Sequence, residues 1–564
     1  MAATPPRPET LRGALLGHYL ASPERLYVRC LMPDGAVVPV TYGDLVSRGS
    51  QLAAELGDRG AGPGDIVVVI LPHSRDLFSA FFGAVLGGQV PAILSPPSFK
   101  LNREHYRAEL EALLARIEAK VVITDTATAS FLGSQGDRLG LARVLLVDAL
   151  LPRAAPIPEV SRTPDDLALL QHSSGSTGLK KGVALSNRAV LRQVEDYAAT
   201  IRLRPEDGVV SWLPLYHDMG LIACTILPAV TGVPVTAISP LHWVTRPALM
   251  LQAISDYGCT LTWMPNFAFE FLAQRVRSSQ LGNVGLHSMR AWINCAEPTM
   301  AVSHRRFLER YESLGVKPDS LWTCYAMAET VFAISQSSDV APARVERIDR
   351  EQFQSSGVAI AVVSAEVPSV EVLSAGTLLE GTEVRIVDEG RTDREERQVG
   401  EIAIRCESLF SGYFKDPETT AQSLHDGWYF SGDLGFMADG HLFITGRKKD
   451  LLIIAGKNYY PQDIERIVSA IPGIHPGRVV ALGWDDVSIG TQRLIVLAEV
   501  ESESKVDDPA LAATVRTELA GELDCAIDDL RLLPHMWLLK TSSGKIARAP
   551  NLKRFLEVFG KSAP

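Results

Sequence analysis

No stretch of this 564-residue chain reads as a membrane span. The most hydrophobic run, Phe78 to Leu94, is interrupted by Gln89 and Pro91 and reads as a buried helix followed by a strand. A Cys-x-x-Cys pair is also missing. The seven cysteines, at 30, 224, 259, 295, 324, 406 and 525, are scattered, which points to reduced, mostly buried thiols in a cytoplasmic protein. The twelve histidines show no metal spacing such as His-Glu-x-x-His. An excess of positive charge is absent too. A net charge of -11 argues against nonspecific binding to nucleic acid or to anionic membranes. The first ten residues are polar and proline-rich, with no signal-peptide core. Internal repeats and low-complexity tracts are lacking. What is present is an ordinary globular composition, 46% hydrophobic and 21% charged, on a chain long enough for two or three domains.

The densest chemistry lies between Gln171 and Gly182. Ser173, Ser174, Gly175, Ser176, Thr177, Gly178, Lys180, Lys181 and Gly182 crowd one short loop between the apolar runs Leu167–Leu170 and Val183–Leu185. Glycines free backbone N–H groups to converge, hydroxyls add donors and lysines add charge, so a polyphosphate suits the loop. A Ser/Gly surface loop is the alternative. The spacing is not that of a Walker A loop, and no helix follows at once.

Around this loop the chain alternates strands and helices, which predicts parallel α/β sheets. Helices are expected over 10–21, from a Thr41 cap to Leu56, over 74–86, 103–119 and 187–201. Strands are expected at 66–71, 90–94, 121–124, 144–147 and 291–294. Residues 151–164, with four prolines, read as a linker. Residues 382–387 and 401–405 suggest a small β subdomain. The last ~115 residues have the size of an independent α+β domain.

Several short segments carry candidate chemistry, each with a plainer alternative. His217 and Asp218, close to Trp212 and Met219, form either a reactive pair or a satisfied buried cluster. Trp263, Asn266 and Phe267 line a pocket or pack a core. Asn294, Ala296, Glu297 and Pro298 form a strand-end turn, where open α/β sheets present ligands. Glu329, a carboxylate on a loop, reads by itself as surface ion-pair material. Asp433 accepts a ribose diol or sits in an ordinary turn. Lys545, within Thr541-Ser542-Ser543-Gly544-Lys545, reads by itself as a solvated lysine.

In order and wording these segments resemble the adenylate-forming superfamily of acyl-CoA synthetases, peptide-synthetase adenylation domains and luciferases. The likeness runs from Ser174-Gly175-Ser176-Thr177-Gly178 to Lys545, nearly the whole chain. Lys180 stands where the family has a proline, and Ala326 where it has a glycine. The segment His217-Asp218-Met219-Gly220-Leu221 is most similar to the fatty acyl-AMP ligase branch. The resemblance implies a large domain over 1–446, a hinge at 447–450 around Lys449, and a small mobile domain over 451–564. It implies that Ser173 to Gly178 and Lys181 hold the ATP phosphates, while Thr177 and Glu329 hold Mg2+. Asn294, Ala296, Glu297, Pro298, Tyr325, Ala326, Met327, Asp433 and Arg447 would surround the adenosine. Trp212, His217, Asp218, Met219, Trp263, Asn266 and Phe267 would line the acyl pocket, with Lys545 and His217 catalytic.

The activity so implied is activation of a fatty acid to acyl-AMP, then acyl transfer to the phosphopantetheine thiol of an acyl carrier protein. An acyl-CoA synthetase and a non-catalytic binding scaffold are the rival classes. Thr177, Glu329, Asp433 and Lys545, held together in separate loops, speak against the scaffold. Residues 340–372 match the place of a branch-specific insertion, and the apolar run Val358–Val363 is expected to anchor it. A surface hairpin without a regulatory role explains the same run.

Overall fold

The computed structural model describes residues 7–97, 103–133, 138–139, 142–172, 181–454, 456–486, 491–523, 525–540 and 545–560. Helix starts follow local chemistry. Thr41 and Asp44 form a capping box on helix Tyr42–Asp58, and Ser186 caps helix Asn187–Thr200. Strand Ile66–Ile70 is buried at every position, as expected of a parallel strand covered on both faces.

That strand lies in a seven-stranded sheet with 90–93, 121–124, 142–146 and 167–172 parallel to one another. Strand Gly182–Ser186 returns antiparallel to Leu167–His172, closing the phosphate-loop segment at its base. A larger sheet changes character midway. Strands 26–31, 235–238, 209–211, 261–264, 291–294 and 321–326 run parallel. From there 333–336, 369–378, 441–447, 428–438, 400–405 and 383–387 continue it antiparallel. The change falls at the Tyr325–Thr330 motif. The C-terminal residues build a three-stranded sheet (474–486, 491–500, 529–533) whose buried side chains cluster separately from the main core. The fold is mixed α/β, a large N-terminal body with a small C-terminal unit.

Two segments depart from expectation. Residues 340–372 hold a strand, Val345–Asp349, and a helix, Arg350–Ser356. Their anchor is not Val358–Val363, because Ile360 is 47% and Val363 97% exposed. Ile348 and Phe353 are the buried pair, packed with Phe436, Phe443 and Tyr460, and Phe353 stacks 5.3 Å from Tyr460 of the small unit. Apolar runs bury only the side chains that the local backbone turns inward, and here that is Ala359 alone. The second departure is Met219–Ile226, a π-helix directly behind His217-Asp218. The chain folds back so tightly there that a Cβ on Gly220 would lie 2.3 Å from the Pro214 carbonyl.

Candidate active site

Residues 173–180 lie outside the described residues, so the predicted phosphate contacts of Ser173, Ser174, Gly175, Ser176, Thr177 and Gly178 are not placed. The base of that loop is. His172 pairs with Gly182 across the hairpin, and the Gln171 amide donates to the Tyr216 carbonyl at 3.3 Å, tying the loop to the His217 segment. Lys181 Nζ stands 4.8 Å over the Tyr413 ring, and the Tyr413 hydroxyl donates to Glu329 Oε1 at 2.8 Å. Lys181, Tyr413 and Glu329 therefore form one chain of contacts.

Glu329 sits on the short turn between antiparallel strands 321–326 and 333–336, just before Val331, whose φ of +65° is strained for a β-branched residue. Burial raises the Glu329 pKa above the usual carboxylate value. Asp218 adds to the rise, while the Tyr413 hydroxyl and Arg447 oppose it. A desolvated carboxylate near a second acid is relieved by a cation, and an oxygen donor of this kind fits Mg2+.

Strand pairing builds the next part. Asp433 lies opposite Arg447 in the ladder, with Arg447 Nε 3.3 Å from Asp433 Oδ1. The Tyr325 hydroxyl donates to Asp433 Oδ2 at 2.6 Å. Burial and the Asp433 charge push the Tyr325 phenol well above its ordinary pKa. Each carboxylate oxygen keeps a free lone pair for a diol. Ala326 and Met327 are half-buried beside them.

The turn after strand Ala291–Asn294 is only partly as expected. Ala296 adopts φ +73°, a conformation that side-chain-bearing residues rarely take. Glu297 Oε2 accepts the Phe267 N–H at 3.1 Å, and Pro298 is exposed. Asn294, however, has no exposed surface, and its amide donates to Asn266 Oδ1 at 2.9 Å with His304 Nε2 at 3.1 Å. Asn266 in turn donates to Ser303 and accepts the Met300 N–H. Both asparagines are turned inward and brace the turn. Trp263 also lies inward. It is fully buried, and its indole donates to the Tyr197 hydroxyl at 2.7 Å, inside the core.

Trp212 and Phe267 do meet, with a partner the sequence did not reveal. Trp243 stacks on Trp212 at 3.7 Å with planes 1° apart, and Phe267 lies edge-on to both at 6.0 and 6.4 Å. Nothing in local spacing marks Trp243, which comes from helix Pro240–Thr245. Phe267 is 39% exposed and forms the outer end of the cluster.

His217 Nδ1 contacts Asp218 Oδ1, and the Met219 N–H donates to the same oxygen at 2.8 Å. Burial pushes the Asp218 pKa up, but His217, Lys545 and the Met219 N–H outweigh it and leave the carboxyl below its ordinary value. Lys545 projects from a hairpin stem in which Lys540 bridges to Ile546. Lys449 lies in the turn Lys448–Asp450, its ammonium pKa lowered by burial and by Arg447. Tyr413, Trp243 and Phe353 are the residues that sequence reasoning missed.

A family model described as AMP-binding enzyme matches residues 23–414. The medium-chain-fatty-acid–[acyl-carrier-protein] ligase JamA of Moorena producens is 31% identical over 539 residues, covering 92% of this chain and 90% of that protein. The long-chain-fatty-acid–AMP ligase FadD26 of Mycobacterium bovis is 30% identical over 550 residues, covering 93% and 92%. A solved structure from work on fatty acyl-adenylate ligases of E. coli and L. pneumophila superposes with a TM-score of 0.89 at 30% identity, over 98% of this chain and 99% of that one.

Proposed function

The chain belongs to the AMP-binding enzyme family, and from that premise we propose how it works as a fatty acyl-AMP ligase. A fatty acid carboxylate oxygen attacks the α-phosphorus of ATP, the bond to the bridging oxygen breaks, and pyrophosphate leaves with the electron pair. The acid is already ionised, so no side chain serves as nucleophile. Catalysis is positioning and cancellation of negative charge. Lys545 neutralises charge growing at the α-phosphate, and His217 flanks the same oxygens, oriented by Asp218. Asp433 and Tyr325 hold the ribose, with Arg447 fixing Asp433. Trp212, Trp243 and Phe267 bound the acyl tail. Glu329 and Thr177 would hold Mg2+, which supplies charge neutralisation at the phosphates. The observation that carries this reading is the cleft's geometry, in which the Tyr325 hydroxyl and Arg447 meet on Asp433 while Lys181 and Tyr413 lead to Glu329.

The acceptor is the phosphopantetheine arm of an acyl carrier protein. Its thiolate attacks the acyl carbon and AMP leaves. What supports the carrier over free CoA is the name of the JamA relative and the 345–356 excursion, which grips the small unit through Phe353 and through Arg350, donating to the Glu522 carbonyl. All seven cysteines are free, which suits a reducing cytoplasm, and no described helix is long and apolar enough to cross a membrane. The test offers preformed acyl-AMP on the enzyme to CoA and to a phosphopantetheinylated carrier protein. Acyl-carrier product with little acyl-CoA is expected; efficient acyl-CoA formation would make the protein a CoA synthetase.

A further inference from the structure

The hairpin stem leading to Lys545 is gripped from outside by two buried polar side chains. Glu499, on strand Thr491–Val500, has no exposed surface. One of its carboxylate oxygens accepts the Leu538 N–H at 2.7 Å, and the other accepts the Met536 N–H at 3.0 Å. Arg478 and His535 face the same carboxylate at 3.5 and 3.4 Å. Asn551, on helix Arg548–Phe559, is equally buried. It accepts the Leu539 N–H at 2.8 Å and donates to the carbonyls of Leu539 and Ala547 at 2.9 and 2.8 Å. The Ala547 N–H closes the stem on the Leu539 carbonyl at 3.0 Å.

Both features are costly for packing alone. A buried carboxylate stabilises a core less than an apolar side chain of similar volume does. Met536 is held at φ +69°, a conformation strained for a side-chain-bearing residue, and Glu499 accepts its N–H there. Together the two clamps hold Met536, Leu538, Leu539 and Ala547, on either side of Lys545 in the chain. We infer that Glu499 and Asn551 are positioning residues for the Lys545 ammonium in acyl-AMP formation. This rests on the reading of Lys545 as the adenylating lysine. Neither residue touches substrate. Each sets where the ammonium stands, and a displacement of about 1 Å costs on the order of a hundredfold in rate.

The test compares full-length Glu499→Gln, Asn551→Ala, Lys545→Ala and the double variant Lys545→Ala/Glu499→Gln. Pyrophosphate release reports adenylation, and transfer from preformed acyl-AMP to a phosphopantetheine thiol reports the second step. Each clamp variant is expected to lose about tenfold or more in adenylation kcat, with KM for ATP and the transfer rate within about twofold of the parent. The double variant should be no slower than Lys545→Ala. Equal loss of both steps, or a double variant slower than Lys545→Ala, would show a merely structural role and overturn the inference. If Lys545→Ala is slow but both clamp variants adenylate at the parent rate, the clamp alone is refuted. If Lys545→Ala itself adenylates normally, the reading beneath it falls and takes the clamp with it. Glu499→Gln, which keeps the side-chain volume, decides the matter if Asn551→Ala does not fold.

Discussion

Replacing Phe353 with leucine tests how the 345–356 excursion holds the small unit. Phe353 is 3% exposed and packs with Ile348, Phe436 and Phe443 on one side and the Tyr460 ring, 5.3 Å away at 28°, on the other. Leucine keeps most of the apolar volume toward the sheet, so the main loss is the aromatic pair, worth about 1 kcal/mol. That corresponds to about fivefold in the balance between a held and a released small unit. The assay is acyl transfer from preformed acyl-AMP, with CoA and carrier protein offered separately. Acyl-CoA should rise by about fivefold, with carrier product little changed. Val363→Ser, at a position 97% exposed, is the control and should alter neither. Acyl-CoA no higher in Phe353→Leu than in the parent, in protein that still melts cooperatively, would refute the idea that this contact restrains the small unit.

Lys545→Ala should lose on the order of 3 kcal/mol of transition-state stabilisation while ATP binding stays close to the parent's, read by pyrophosphate release and by nucleotide titration. Lys449→Pro should retain acyl-AMP formation and lose thiol transfer, since proline removes the φ freedom that a hinge between Arg447 and Asp450 needs; equal loss of both would mean damage to the fold. The Glu329 pKa is raised by burial and by Asp218, so Mg2+ affinity should fall as pH drops through a midpoint above the usual glutamate value of about 4.3. The same sign makes the ionised Glu329 a burden on the metal-free fold. Its stability should therefore improve as pH falls through that midpoint, and Glu329→Gln should melt higher at neutral pH without metal. Mg2+ affinity that stays constant down to that usual value would contradict the placement.

Local signals served well where the physics is local. The Thr41 and Asp44 capping box, the unbroken apolar run at Ile66 and the 509–523 helix are visible from neighbours a few residues away. Glu329 does lie in a short turn, whereas Asp433, read as a strand-end aspartate, lies within strand 428–438 opposite Arg447. What escaped depends on distant partners. Trp243 matters because the backbone lays it on Trp212, and Phe353 because Tyr460 reaches it from the small unit. Strand alternation also says little about Asn294 at the last strand position, where the side chain turns in to Asn266. At the π-helix from Met219, Gly220 approaches Pro214 closely, a contact no periodicity announces.

This cleft is built to make an acyl-adenylate. The direct measurement incubates the purified protein with ATP, Mg2+ and a panel of fatty acids, with no thiol present, and follows the nucleotide products by mass spectrometry. Acyl-AMP and pyrophosphate should appear together, with at least one acid in the panel and not without acid. If ATP remains intact with every acid, or yields ADP and phosphate instead, the cleft built by Glu329, Asp433, His217 and Lys545 does not do this chemistry.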